Sequence, residues 1–565
     1  MSARPADHRP APGPGEFIAA PSDPQDERID VGVNIVGAGP AGLAAAVRLG
    51  QLLQDRPELA ERLGDVPVAV LEKGKTAGAH LLSGAVINPY SLRLLFPGMS
   101  VSEMPFFGLV KAEAVYYLTR KRAIRIPTPP MMVNDGNYIA SLAHVGRWLA
   151  ERAEELGVTV VPETAATKLL VSGGRVVGVR TGDKGRGRDG KELGNFEPGT
   201  DVTARATILA EGTLGHLSLA ATEHFGLRTQ PQTWALGVKE VWEVARPLDR
   251  IVHTMGWPLR GGRKYREFGG SFLYPMGEGM VSIGLVVGLD YADASVSVHD
   301  LLQELKMHPF VRRILDGGKR LAWGAKTIPE GGLQAVPSRL SFPGGMIVGD
   351  AAGLVNVPAL KGVHYAMRSG MLAAETACAA VSPGQTAWTP GSLDAYDDAV
   401  RASFIWQDLK RVRNMRPAFA NGFLAGSTLA GAAAATFGSF PPKDLPTEDD
   451  GEVPVFVGDR DRSYPAPDGA LTFDKLSSVY LSGNKTRDDA PNHIRVRTDV
   501  PREVAEAWVR MCPAQVYEIA GGGASAGAAT VEVTPSNCVQ CGAITAKGGR
   551  LTPPEGGSGP EYSLL

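Results

Sequence analysis

The sequence predicts an α/β chain, α+β when its whole length is counted, divided into more than one domain. Three observations predict it. The chain has 565 residues, too many for one hydrophobic core. Its first apolar strand runs through three close-set glycines into an alanine-rich helix. Two later apolar strands return with an acid at their ends, as in a parallel sheet that gathers its loops along one edge. Composition agrees with a folded protein: 44% of residues are hydrophobic and 21% charged, while 69 glycines and 42 prolines forecast many turns and close backbone approaches.

The net charge of −2 excludes nucleic acid as a partner, which needs a basic surplus or stripe. Residues 1–29 are proline-rich and carry Asp7, Glu16, Asp23, Asp26 and Glu27. They have no apolar core for a signal peptide and too much acid for a transit peptide, so they read as a flexible tail. No run of 18 apolar residues is free of polar or turn residues, so no transmembrane helix is expected. Of the four cysteines, Cys512, Cys538 and Cys541 gather near the end and Cys378 sits in an alanine-rich stretch. That is not the distribution of a secreted disulfide scaffold. It fits a reducing compartment and a metal site, with Cys378 filling a core.

The stretch "VGVNIVGAGPAGLAAAVRLGQLL" reads as strand, tight turn and helix. Gly37 permits the turn, Gly39 lets backbone approach a pyrophosphate, and Gly42 lets the helix pack on the strand, with the helix N-terminus facing phosphate charge. A second strand, "VPVAVLEKG", ends in Glu72, whose carboxylate can accept from an adenosine ribose. This is a Rossmann-like nucleotide site. Two returning strands favour FAD over NAD: "ATILAEGTLGHLS", ending in Glu211 and Gly212, and "GGMIVGDAAGLVNVPALKGVHYAMRSG", ending in Gly349 and Asp350. Asp350 is placed to bind a ribityl or ribose hydroxyl, with a helix N-cap as the alternative. Gly353 and Gly362 let backbone N–H groups approach the isoalloxazine or the phosphates.

The polar stretch "PPKDLPTEDDGEVP" opens a connection over 441–464 into a last domain at 465–565. There "MCPAQVYE" gives Cys512 followed by Pro513, and "SNCVQCGAITAKGG" gives Cys538 and Cys541. Bacterial ferredoxins hold a cluster with C-x2-C-x2-C and a remote Cys-Pro. The third cysteine of the run falls due at 544, where Ile544 stands. Three thiolates can hold [3Fe–4S], or [4Fe–4S] with an exogenous ligand on one iron; an empty site is the third alternative. Thr545 is a poor iron ligand.

These strings, with "LEKGKTAGAHLLSGAVINP", "HTMGWPL", "FGGSFLYP", "PEGGLQAVP", "RNMRP", "LTFDKLSSVYLSGN" and "PPEGGSGPEY", resemble the electron-transfer flavoprotein:ubiquinone oxidoreductase family over residues 30–565. The resemblance implies a monotopic membrane flavoprotein that takes electrons from soluble electron-transfer flavoprotein and passes them to quinone through FAD and one iron–sulfur cluster. It further implies an FAD domain over 30–440, interleaved with a quinone-binding domain inserted at about 80–200 and 225–330, and a C-terminal ferredoxin-like domain. By the same resemblance Gly269 and Gly270 contact the quinone, although a strand bend explains two glycines equally well. No side chain is assigned as a general acid or base.

Two apolar segments, "EMPFFGLV" at 103–110 and "AFANGFLAGSTLAGAAAATFGSF" at 418–440, the latter preceded by Arg411, Arg413 and Arg416, suit peripheral membrane contact. The expected location is the cytoplasmic face of a bacterial inner membrane. The alternative functions are a soluble FAD-dependent dehydrogenase or reductase of a specialised small molecule, and an electron-relay scaffold.

Overall fold

The computed structural model describes residues 2–13, 15–22, 27–228, 230–277, 279–380, 391–458, 462–521 and 527–565. Its first layer is a nine-stranded sheet. Five strands run parallel side by side, Thr159–Val161, Val68–Leu71, Ile29–Val36, Asp201–Leu209 and Gly345–Ile347. Residues 31–36 are buried on both faces, which is why the sequence there reads as a continuous apolar run instead of alternating. Arg175–Thr181 and Ala166–Ser172 extend the sheet antiparallel.

Helix Pro40–Gln54 covers this sheet and packs along helix Val363–Ala380. A Cβ on Gly370 would lie 2.0 Å from the Ala41 carbonyl oxygen, so the two helices meet backbone to backbone. Cys378 is buried in the same core, as a filler. The sheet also claims Thr159–Val161, Ala166–Ser172 and Arg175–Thr181, which corrects the expected insertion at about 80–200. The part before 159 supplies strands outside the nucleotide sheet and Lys184–Arg186 pairs with Glu192–Glu197 as a separate ribbon, while the strands of 159–181 bury their apolar faces by completing that sheet.

The second layer is a seven-stranded sheet in the order Lys319–Pro329, Trp234–Glu243, Met280–Gly288, Gly269–Pro275, Ile251–Gly256, Glu113–Leu118 and Ala123–Ile126. Neighbours are antiparallel apart from Ile251–Gly256 beside Glu113–Leu118. Helix Val298–Lys306 lies across it, and Trp242 and Trp323 are fully buried below. Burying such side chains contributes about 1.5–3 kcal/mol each before entropic costs. A buried carboxylate in this core, Glu240, accepts from Lys306 and Arg320, which offsets its desolvation.

The C-terminal part carries helix Arg502–Met511 against a three-stranded sheet of Asp499–Pro501, Ala528–Val533 and Tyr517–Ile519. Its core is continuous with that of the seven-stranded sheet, so no solvated gap separates them. The expected connection at 441–464 is partly internal: Asp450 is buried and its Oδ2 accepts from the Trp234 N–H at 2.7 Å. The expectation of a flexible tail over 1–29 is likewise corrected. Ser2–Ala3 pairs with Val455–Phe456, Ile18–Ala19 joins the first sheet, and Glu16 pairs with Arg550. Short strands and ion pairs anchor what composition alone read as unstructured; Asp23 and Asp26 lie outside the described residues. Among the described residues, no helix is long and apolar enough to cross a membrane.

Candidate functional site

A cavity of about 1470 Å³ lies between the two sheets. One end is the glycine turn that follows Ile29–Val36. Gly37 adopts φ +106°, where a Cβ would lie 2.5 Å from the Ala210 carbonyl oxygen, and a Cβ on Gly42 would lie 2.0 Å from the Gly37 carbonyl oxygen. The turn exists only because both positions lack side chains. Gly37, Gly39, Glu72, Gly212, Asp350 and Gly362 all line the cavity. Gly42 and Gly353 stand behind it, shaping the turns: Gly353 is left-handed at φ +78°.

Glu72 braces the turn as well as facing the cavity. Its Oε2 accepts from the Ala38 N–H at 2.8 Å and its Oε1 from the Gly74 N–H at 2.6 Å. Each oxygen keeps a second lone pair, so a ribose hydroxyl can still donate to it. Glu211 lines the cavity as well, but its carboxylate is engaged: it accepts from the N–H groups of Leu217 and Ser218 at the start of helix His216–His224. Asp350 caps no helix. Its carboxyl has no hydrogen-bond partner among the described residues, and burial pushes its pKa up to about 6 against the pull of Lys326. A half-buried acid facing a cavity, with no hydrogen-bond partner among the described residues, is suited to a hydroxyl ligand.

Four lysines surround this space, Lys239 buried and Lys73, Lys326 and Lys361 half-buried, and sequence reading missed them. Burial lowers the pKa of each, to about 7 for Lys239 and about 8 for Lys326 and Lys361. Lys239 donates to the Ser83 carbonyl oxygen at 2.8 Å. A lysine inside the apolar strand "WALGVKEVWE" was the available signal. Such a ring of desolvated cations favours an anionic occupant. A cavity of this volume, a glycine turn, ribose-competent carboxylates and excess positive charge together fit FAD.

The far end is built on the second sheet. Gly269 and Gly270 line it, with Phe272, His253 and Tyr274. His253 Nε2 and the Tyr274 hydroxyl are 2.7 Å apart, and the Phe272 and Tyr274 rings stack. A Cβ on Gly269 would lie 2.0 Å from the Val286 carbonyl oxygen, and one on Gly270 2.6 Å from that of Thr254. Sheet packing by itself therefore requires both glycines.

Helix Phe423–Ala435 walls off this end, offering Phe423, Ser427 and Ala430 to the cavity. Its outer side leaves Leu424 82% exposed, and Phe437 just beyond is 81% exposed. Tyr117 and its cross-strand partner Ile124 add exposed apolar surface beside Phe423, and Leu109 of the first segment is exposed too. The expected basic flank is corrected. Arg416 is 5% exposed and paired to Asp290 and Glu330, and Arg413 is bound to Asp444; Arg411 alone of the three stays exposed. The buried carboxylates needed a cation, and Arg416 was within their reach.

Beyond the first cavity, Cys512, Cys538 and Cys541 line a second, small one together with Ile544. The N–H groups of Val516 and Gln540 point at the sulfurs of Cys512 and Cys538, each at 3.4 Å. The donors suit thiolates of an iron–sulfur cluster, but three cysteines and an isoleucine do not make the four-thiolate set. Among the described residues, no three His, Cys, Asp or Glu side chains converge on a single-ion site.

Three family models match. "ETF-QO, ubiquinone-binding" covers residues 234–328, "FAD binding domain" covers 95–239, and "Electron transfer flavoprotein-ubiquinone oxidoreductase, 4Fe-4S" covers 469–563. The mitochondrial electron transfer flavoprotein-ubiquinone oxidoreductase of Oryza sativa subsp. japonica is 39% identical over 559 residues, 95% of this chain and 94% of that one. The protein of the same name from Bos taurus is 38% identical over 557 residues, covering 94% and 88%. Among solved structures, a geranylgeranyl bacteriochlorophyll reductase-like protein from Thermoplasma acidophilum superposes with TM-score 0.55 at 18% identity, covering 74% of this chain and 98% of that one. That last likeness is one of fold.

Proposed function

The chain belongs to the electron transfer flavoprotein-ubiquinone oxidoreductase family, and from that premise we propose that it passes electrons from reduced electron-transfer flavoprotein to a ubiquinone. The observation that carries the reading is the continuity of the cavity. It runs from the glycine turn to the Gly269–Gly270 strand and the helix Phe423–Ala435, so a nucleotide end and an apolar end share one enclosed space.

FAD supplies the ability to accept electrons singly or in pairs, which a one-electron donor and a two-electron acceptor require of anything between them. This chain's residues hold it. Gly37 and Gly39, with Gly42 shaping the turn behind them, would let backbone reach a pyrophosphate, while Glu72 and Asp350 would take ribose and ribityl hydroxyls. Lys73, Lys239, Lys326 and Lys361, which line the same cavity, would offset the negative charge of a bound flavin nucleotide. Gly269 and Gly270 form the floor on which a flat quinone ring lies. The exposed rim of Leu424, Phe437, Tyr117 and Ile124 supports peripheral attachment that opens this end to lipid, with the cytoplasmic face of a bacterial inner membrane as the location.

Steady-state reduction of a short-chain ubiquinone by reduced electron-transfer flavoprotein tests the reading. Turnover that requires both the donor protein and bound FAD is expected. Flavin-replete protein that shows none would refute it.

A further inference from the structure

We propose that the C-terminal domain of this chain holds a three-iron cluster, [3Fe–4S], on Cys512, Cys538 and Cys541, with Ile544 closing the corner where a fourth iron would sit. The inference rests on the family reading for its iron–sulfur chemistry and departs from the four-iron content named by the matching model.

The pocket is built for sulfur. Besides the two N–H donors aimed at Cys512 and Cys538, the neighbours of the cysteines take left-handed backbone: Gln515 at φ +52°, Gln540 at φ +53° and Gly542 at φ +93°. Turns of this kind point successive N–H groups into a concavity that favours anions. For a non-glycine residue the conformation costs roughly 1–2 kcal/mol, so Gln515 and Gln540 hold an unfavourable backbone where it directs donors at the thiols. All three sulfurs bound the same small space.

The fourth corner is apolar and offers no thiolate, carboxylate or imidazole. Ile544, 4% exposed, occupies the lining beside Met511, Val539 and Leu551. Its Cγ1 and Cδ1 also press on Gly549, within 2.5 and 3.1 Å of where a Cβ would be. The oxygen next in sequence is engaged elsewhere, since Thr545 Oγ1 accepts from the Leu551 N–H at 3.2 Å. Lys547 Nζ donates to the carbonyl oxygens of Tyr291 and Asp450. No carboxylate or imidazole is in the lining. Tyr517 lines it too, and a neutral phenol is a poor iron ligand. An iron at this corner would have to carry water or hydroxide into an apolar wall, where an uncompensated polar group costs roughly 2–7 kcal/mol. A cuboid without that iron needs only the three thiolates present.

The test uses the full chain, purified anaerobically and reconstituted with ferrous iron and sulfide, with iron, acid-labile sulfide and FAD counted and EPR recorded oxidised and reduced. The expected wild-type protein carries three irons to four sulfides and is paramagnetic when oxidised. Ile544→Cys should add one iron per chain and become EPR-silent when oxidised and paramagnetic when reduced. Ile544→Val should keep the three-iron signature, and full FAD content shows that each variant is folded; should Ile544→Cys lose FAD, Ile544→Asp supplies the fourth ligand instead. Four irons in the wild type, no iron in flavin-replete protein, or a ligand-bearing variant that stays at three irons overturns the proposal. Absence of FAD from the wild type would strike the family reading instead.

Discussion

Lys73 donates a 2.7 Å hydrogen bond from Nζ to Oε1 of Gln540, and so ties the strand end that carries Glu72 to the loop between Cys538 and Cys541. From the other side, Lys326 Nζ donates to the Gln540 carbonyl oxygen at 3.1 Å. Two half-buried lysines thus stand between the first cavity and the sulfur pocket. Cations there favour whichever neighbour is reduced. Replacing Lys73 or Lys326 with Met should lower the cluster potential by tens of millivolts, from a lost attraction on the order of 1–2 kcal/mol at an effective dielectric near 20. An EPR-monitored redox titration reads it, and an unchanged potential would show that the lysines serve packing alone.

Asp350 sets a pH dependence with a definite sign. Its folded pKa, about 6, lies above the ordinary aspartate value of 3.8. The folded chain without flavin therefore binds the proton more tightly than the unfolded one. Its stability is highest below pH 3.8 as far as this group is concerned and falls as pH rises towards 6. Asp350→Asn should stabilise the flavin-free protein at pH 7 by roughly 2–3 kcal/mol and weaken FAD binding. Denaturation curves at pH 5 and pH 7, with flavin titrations, check both effects.

Gly42→Ala places a methyl group 2.0 Å from the Gly37 carbonyl oxygen. The helix cannot retreat, because Gly370 already touches Ala41 on its other side. The variant should be isolated without bound flavin, and retention of the flavin absorbance at wild-type stoichiometry would contradict the assigned role of the turn.

The rim should govern attachment and leave chemistry alone. Leu424→Asp combined with Phe437→Asp removes two exposed apolar side chains worth about 1.5–3 kcal/mol each when buried. Sedimentation with lipid vesicles should fall at least tenfold, while reduction of a short-chain quinone in detergent continues. Undiminished sedimentation would point to another surface.

Arg416 is a structural cation. Arg416→Met leaves Glu330 buried without its partner and Asp290 with only the longer contact to Arg266, a loss of about 3–5 kcal/mol. Thermal unfolding should drop accordingly, with no selective change in vesicle binding.

The glycine turn, Glu72, Asp350 and the three cysteines were legible because each depends on local spacing: a turn, a strand end, a C-x2-C pair. The missing thiolate was legible too, since an absent residue type at a fixed offset needs no coordinates. The cavity lysines were not. The apolar strand "WALGVKEVWE" marks Lys239 as enclosed, but neither it nor the lysine of "PALKGVHY" shows which cavity its ammonium meets, since what surrounds it comes from distant segments.

The sequence by itself determined the nucleotide turn, the membership of the last domain and the chemistry its donors permit, because those follow from residue type and short-range geometry. Only the tertiary structure decided that the tail is anchored, that Arg416 is internal, that strands 159–181 belong to the first sheet, and that Gln540 meets Lys73 and Lys326. Those outcomes hang on which buried charges and sheet edges must be satisfied, and that demand arises only when segments far apart in the chain exclude water from one another.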